Sequence, residues 1–121
     1  LDFQMQQLAN GKFLFEEVLA TTATWGTTEN LMFVAGATRA EHIAKVRAAV
    51  PHHFLLVPGV GAQGGSLADV WNYGANDNVG LLVNASRSIL YASSGTDFAE
   101  AASIEAQLLQ QEMAGYLAQM G

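Results

Sequence analysis

Residues 54–69 read FLLVPGVGAQGGSLAD and join three kinds of local structure in one stretch. The apolar run of residues 54–57 is typical of a strand that is covered on both faces, as in parallel sheets. The glycines that follow let the backbone approach a ligand closely, and Ser66 with Asp69 three residues later is typical of a helix start. The stretch therefore predicts a β-strand, a glycine-rich loop and an α-helix, in that order.

The same alternation extends in both directions along the chain. Residues 31–35 and 80–83 are short apolar runs that predict two further strands. Helices are predicted over residues 12–25, 38–50, 86–92 and 97–120, besides the one that starts at Ser66. Strands that alternate with helices favour a parallel sheet with right-handed crossovers. The predicted fold class is therefore α/β, and the 121 residues amount to roughly half of a TIM (β/α)8 barrel, which takes about 250 residues.

Helix ends give more specific expectations. Thr38 and Glu41 fit a capping box at the start of the helix that Pro51 ends. Asp97 and Glu100 form a similar pair at the start of the long last helix.

Length, charge and composition limit the possible functions. A chain of 121 residues has room for one folding unit, so residues 1–121 are predicted to form a single unit without a second domain. The formal charge of −6 excludes the basic surface that nucleic-acid binding needs. The absence of cysteine excludes disulfides and cysteine-ligated metals and fits a reducing cytoplasm. No apolar run approaches the roughly 20 residues of a membrane helix, so a cytoplasmic protein is predicted.

Two loops that follow strands suggest a phosphate site. Backbone N–H groups of the loop at residues 58–65 can point toward an anion at a helix start, and Arg87, just past the third strand, can clamp a phosphate bidentately. Each feature also has an ordinary structural explanation, namely a tight turn for the loop and a surface ion pair for Arg87. Because the two loops follow adjacent strands, together they favour the phosphate interpretation.

The same segments resemble a known enzyme family. Residues 54–65, FLLVPGVGAQGG, and residues 80–93, GLLVNASRSILYAS, resemble the last two strand-loop units of orotidine 5'-monophosphate decarboxylase. Residues 34–41, VAGATRAE, are similar to the sixth strand and the following helix start in the bacterial subgroup with longer chains. The resemblance implies that the chain is the C-terminal part, about strands six to eight, of a TIM barrel.

The resemblance also implies roles for individual residues. Gln63 and Arg87 match the side chains that hold the substrate 5'-phosphate, Gly64 and Gly65 match backbone donors beside them, and Pro58 matches a proline near the pyrimidine. Structural alternatives stay open, since Pro58 can fix a turn and Gln63 can cap the next helix. The ligand implied is a small molecule, orotidine 5'-monophosphate or UMP.

The family decarboxylates its substrate without a metal or organic cofactor, through a lysine and aspartates from the first half of the barrel. No similar Lys/Asp array is found in this sequence, so no catalytic residue is assigned and the chain alone is expected to be inactive. His42, His52 and His53 are predicted to be surface histidines rather than metal ligands.

Three hypotheses remain. The first is the C-terminal part of the decarboxylase, which forms a homodimer or associates with a missing N-terminal half. The second is a non-catalytic phosphate-binding half-barrel that assembles with another chain. The third is a relative that acts on sugar phosphates through the same phosphate site.

Overall fold

The computed structural model describes residues 3–37, 39–61 and 64–121. Its helices are α1 (Leu14–Ala23), α2 (Ala40–Ala49), α3 (Leu67–Gly74), α4 (Arg87–Leu90) and α5 (Phe98–Met120), and its strands are β1 (Phe33–Val34), β2 (Leu55–Pro58) and β3 (Leu81–Asn84).

The strands form one parallel sheet in the order β1-β2-β3. Val34 pairs with Leu56, and Leu56 pairs with Leu82, so these three side chains lie in one row across the sheet. Each pair of neighbouring strands is joined through a helix, which is the connection that parallel pairing requires. The predicted α/β class and parallel sheet are confirmed.

Only one face of the sheet is covered by helices. Leu55, Val57 and Leu81 are buried, and Leu81 and Ile43 of α2 both lie against Gly74 of α3. The row on the opposite face is open, with Val34 69% exposed and Leu82 53% exposed. The prediction that the strands are covered on both faces is therefore wrong for β1 and β3 in this chain.

The predicted helix starts have three different outcomes. The helix α2 begins at Ala40 with Arg39 as its N-cap residue, and Thr38 lies outside the described residues. The Asp97 side chain caps no backbone group of α5, and its carboxylate accepts a hydrogen bond of 2.6 Å from Ser93 Oγ. Ser66 does cap α3, since its Oγ accepts from the Asp69 N–H at 3.3 Å.

Arg47 on α2 is buried and links four elements through backbone carbonyls. Its guanidinium donates hydrogen bonds of 2.7 to 3.3 Å to the carbonyls of Val50, Pro51, His53, Gly74 and Gly80. These carbonyls lie just after α2, at the end of α3, and just before β2 and β3. Sequence analysis did not single out this residue.

One of the histidines is not at the surface. The ring of His53 packs edge-on against Phe33, with centroids 5.3 Å apart, and both ring nitrogens are shielded from solvent. The surface prediction is wrong for His53 and correct for His52, which is exposed. Within residues 3–37, 39–61 and 64–121, no helix has the length and apolar character needed to cross a membrane.

Candidate functional site

The loop between β2 and α3 is a tight turn held by its own backbone. The Gly61 N–H donates to the Gly65 carbonyl at 3.0 Å, and the Gly64 N–H donates to the Gly61 carbonyl at 2.8 Å. Gly61 and Gly64 have φ values of +82° and +81°, which side-chain-bearing residues adopt only with strain. The glycines are therefore required by the shape of the turn.

The turn is fixed between two neighbours. A Cβ atom built on Gly65 would lie 2.5 Å from Ala37 Cβ, so no side chain fits there. On the other side, a Cβ atom built on Gly61 would lie 3.3 Å from Ser88 Oγ. The segment after β1, the loop after β2 and the start of α4 thus meet at the carboxyl edge of the sheet.

Arg87 lies at this meeting point. It is the first residue of α4, directly before Ser88, and it is exposed. Among the residues that the structure describes, no carboxylate forms an ion pair with it. The structure therefore brings the arginine-bearing segment against the glycine-rich loop, as expected for a shared anion site.

The other predicted site residues have different environments. Gln63 lies outside the described residues. The Gly64 N–H is already engaged within the turn, and Gly65 forms an isolated parallel bridge with Val60. Pro58 ends β2, is half-buried, and its carbonyl accepts a 3.0 Å hydrogen bond from the Ala37 N–H.

A Cβ atom on Gly64 would meet no atom within 4 Å, so open space lies beside this part of the turn. A ligand can approach the backbone at Gly64 without displacing a side chain of any residue that the structure describes. Within the described part of the chain, no cluster of three or more His, Asp or Glu residues could hold a metal ion.

A pocket of about 260 Å³ lies behind the turn, between Gly61, Ser88 and Leu109 of α5. A larger pocket of about 610 Å³ lies between α1 and β1, bordered by Val18, Val34 and Arg39. Arg87 and Pro58 line neither pocket. The candidate anion site is therefore an open surface at the ends of the strands, rather than an enclosed cavity.

Comparison with curated proteins shows close relatives. The chain is 58% identical over 113 residues to an orotidine 5'-phosphate decarboxylase of Flavobacterium johnsoniae. This alignment covers 93% of the chain and 41% of that protein. It is 53% identical over 120 residues to the decarboxylase of Parabacteroides distasonis, which covers 99% of the chain and 43% of that protein. No protein-family model matches the chain. The chain thus spans about two fifths of the length of these curated relatives.

Solved structures show the same fold. The Leishmania donovani UMP synthase superposes with a TM-score of 0.70 at 34% identity, over 88% of this chain and 24% of that one. The Leishmania donovani OMP decarboxylase gives a TM-score of 0.66 at 31% identity, over 84% of this chain and 38% of that one. The three strands and their helices are accordingly part of a TIM barrel, at about strands six to eight.

Proposed function

The chain belongs to the orotidine 5'-phosphate decarboxylase family, and we propose that it forms the phosphate-binding part of an enzyme that converts orotidine 5'-monophosphate to UMP and CO2 in pyrimidine biosynthesis. The observation that supports this most is the close approach of Gly61 in the glycine-rich turn to Ser88 in α4, the helix that begins at Arg87. We propose the cytoplasm as its location, because the sequence contains no cysteine that would use an oxidising compartment.

Arg87 provides the positive charge of this site. Its guanidinium can donate two parallel hydrogen bonds to phosphate oxygens, and its exposed position leaves it accessible to a ligand. Gln63 adds a side-chain amide from the neighbouring turn. We assign Pro58, the last residue of β2, to the pyrimidine side of the site.

Gly64 and Gly65 contribute mainly through the path of the backbone. Because the Gly64 N–H already donates to Gly61, it reaches phosphate only through a hydrogen bond shared between two acceptors. Gly65 has no room for a side chain beside Ala37, so it lets the turn lie close to the sheet.

Phosphate binding at this edge contributes to catalysis at the pyrimidine. Interactions with a distant part of the substrate position the reacting part and offset the cost of reaching the transition state. No residue of this chain takes the role of the lysine that transfers the proton, so we propose that the chain alone does not decarboxylate orotidine 5'-monophosphate.

The missing lysine must come from elsewhere. We propose that residues 1–121 fold as a single unit whose open sheet face pairs with a lysine-bearing half-barrel, which completes the catalytic site, or with a second copy in a homodimer, which would cover the face without supplying the lysine. The row of Val34, Leu56 and Leu82 supports this, since the equivalent face in a barrel is packed with side chains from the other strands. If no such half exists, the alternative is a non-catalytic phosphate-binding half-barrel.

The test of the phosphate site is the substitution Arg87→Ala. We expect the dissociation constants for UMP and for inorganic phosphate to rise about tenfold to hundredfold, which corresponds to about 1.5–3 kcal/mol for hydrogen bonds to a charged group. An amide NMR titration of the chain measures both constants.

The matched control is Lys12→Ala, which removes a cation that lies 3.9 Å from the Glu17 carboxylate at the start of α1. This variant should bind UMP like the parent chain. Equal losses in the two variants would point to a general effect of charge and contradict a site at Arg87.

A further inference from the structure

The glycine-rich turn is in contact with Ala37, a buried residue that follows β1. We propose that Ala37 is a positioning residue, which sets the place of Gly64 and Gly65 for phosphate binding. This inference rests on the proposed function. Only 3% of the Ala37 surface is exposed, and its Cβ lies where a side chain on Gly65 would have to be.

Ala37 is tied to the sheet by a hydrogen-bond series. The N–H groups of Phe33, Ala35 and Ala37 donate in turn to the carbonyls of Phe54, Leu56 and Pro58, at 3.1, 2.9 and 3.0 Å. The pairing with β2 thus continues three residues past the end of β1, up to the residue where the turn begins. Ala37 has therefore little freedom to move relative to β2.

The contact with Gly65 transfers this fixed position to the turn. A Cβ on Gly65 would lie 2.5 Å from Ala37 Cβ and 3.1 Å from the Ala37 carbonyl oxygen. Gly65 in turn accepts the hydrogen bond from Gly61 that closes the turn. When the backbone of a binding site is held in place before the ligand arrives, less conformational entropy is lost on binding.

The size of the side chain at position 37 is the critical property. Alanine fills the gap with one methyl group, whereas a larger side chain would push Gly65 away from the sheet. Loss of that methyl would leave the turn without a contact on this side. Both changes should weaken phosphate binding while the helices and the sheet remain.

The experiment compares Ala37→Val with Ala35→Val. Ala35 is also buried, at 6% exposure, but it borders the 610 Å³ pocket, into which we expect the two added methyl groups of valine to extend. We expect Ala37→Val to weaken binding of inorganic phosphate about tenfold, the equivalent of one hydrogen bond to a charged group. Ala35→Val should bind as the parent chain does.

A second readout reports on the turn without a ligand. Amide hydrogen exchange at Gly61 and Gly64, whose N–H groups close the turn, should become faster in Ala37→Val and unchanged in Ala35→Val. If Ala37→Val does not fold, Ala37→Gly provides the same two measurements, with a smaller loss of affinity and faster exchange expected.

The outcomes separate the two proposals. If the parent chain binds no phosphate, the proposed function fails, and amide exchange still decides whether Ala37 holds the turn. If the parent binds phosphate and both Ala37→Val and Ala37→Gly bind equally well with unchanged exchange, the positioning role of Ala37 is overturned.

Discussion

Arg47 is a buried cation whose charge is stabilised by hydrogen bonds to backbone carbonyls. Its guanidinium donates to the carbonyls of Gly74 and Gly80 at 2.7 and 2.8 Å and to that of His53 at 2.7 Å. Burial lowers the pKa of the guanidinium, but arginine remains charged at neutral pH. The hydrogen bonds therefore offset the cost of removing the charge from water.

The substitution Arg47→Lys should destabilise the chain. A lysine ammonium has three donors at one point and cannot replace the planar fork that reaches several carbonyls. We expect the free energy of unfolding to fall by about 3 kcal/mol, because buried carbonyls lose their partners. Urea denaturation followed by circular dichroism measures the change.

Arg39→Lys is the matched control, since Arg39 is exposed at the start of α2. It should change stability by less than about 0.5 kcal/mol, as is usual at surfaces. Stability of Arg47→Lys equal to that of the control would show that the carbonyl contacts contribute little.

At the scale of single residues, the sequence allowed the position of Arg87 to be predicted but not the burial of Arg47. The position of Arg87 at the carboxyl edge of the sheet could be predicted because it follows an apolar strand, and its role in binding phosphate stays a prediction. Arg47 could not, because an arginine in an amphipathic helix has the pattern of an ordinary surface residue. Its partners are separated from it by up to 33 positions and are backbone groups, which have no signal in the sequence.

Among the elements, the contact between α3 and α5 gives a prediction on pH. Tyr116 stacks on Trp71 with ring centroids 5.4 Å apart, and its hydroxyl donates to the Glu112 carboxylate at 3.1 Å. Burial of the phenol, then the hydrogen bond and the charge of Glu112, raise the pKa of Tyr116 above 10.0. The folded chain thus favours the neutral phenol over the ionised one. The stability that Tyr116 contributes is therefore present below about pH 10 and is lost as the pH rises through its raised pKa.

The substitution Glu112→Gln should lower the pKa of Tyr116 toward its usual value. Glutamine keeps a hydrogen-bond acceptor but removes the negative charge, and burial against Trp71 remains. Ultraviolet absorbance of the phenolate during a pH titration measures the midpoint, with Tyr116→Phe to identify the transition. Glu100→Gln, which changes a carboxylate in the first turn of α5, serves as the control. Equal midpoints in the parent chain and in Glu112→Gln would contradict the role of Glu112.

The order of elements followed well from hydrophobic patterns, and their ends followed less well. The residues Leu81–Asn84 of β3 differ by only one position from the predicted strand. The predicted strand at residues 31–35 is reduced to Phe33–Val34, although its hydrogen bonds to the segment of β2 continue as far as Ala37. The cap predicted at Asp97 was wrong, since its backbone (φ −85°, ψ 10°) is not in the extended conformation typical of a capping residue.

On the scale of the whole molecule, one face of the sheet exposes apolar side chains to solvent. The apolar runs of β1 and β3 have the composition of strands buried on both faces, and the resemblance to a barrel explains why. Helices cover one face in this chain, and the other face corresponds to the interior of the barrel. The α/β architecture could therefore be predicted from the sequence. The exposure of Val34 and Leu82 could not, because it depends on whether the other strands of a barrel cover this face.

Two adjacent leucines of β3 allow the two faces to be tested separately. Leu81 is buried, at 9% exposure, and points to the helices, whereas Leu82 is 53% exposed and lies in the open row. We expect Leu81→Ser to lower the free energy of unfolding of the chain by about 2–4 kcal/mol, as large-to-small and polar substitutions in cores do. Leu82→Ser should change it by less than about 0.5 kcal/mol, because the side chain is already in contact with water.

The Leu82→Ser variant should show its effect when the chain is mixed with a lysine-bearing first half of a related decarboxylase. The parent chain alone should release no CO2 from orotidine 5'-monophosphate, and the mixture should gain activity because the open row is then packed in a barrel interior. Leu82→Ser should keep its fold and lose most of this gained activity, since it leaves a hydroxyl in that interior. Activity in the parent chain alone would contradict the division of the site between two halves. Full activity of the mixture with Leu82→Ser would show that this face is not where the halves meet, and absence of activity in every mixture would favour the non-catalytic half-barrel.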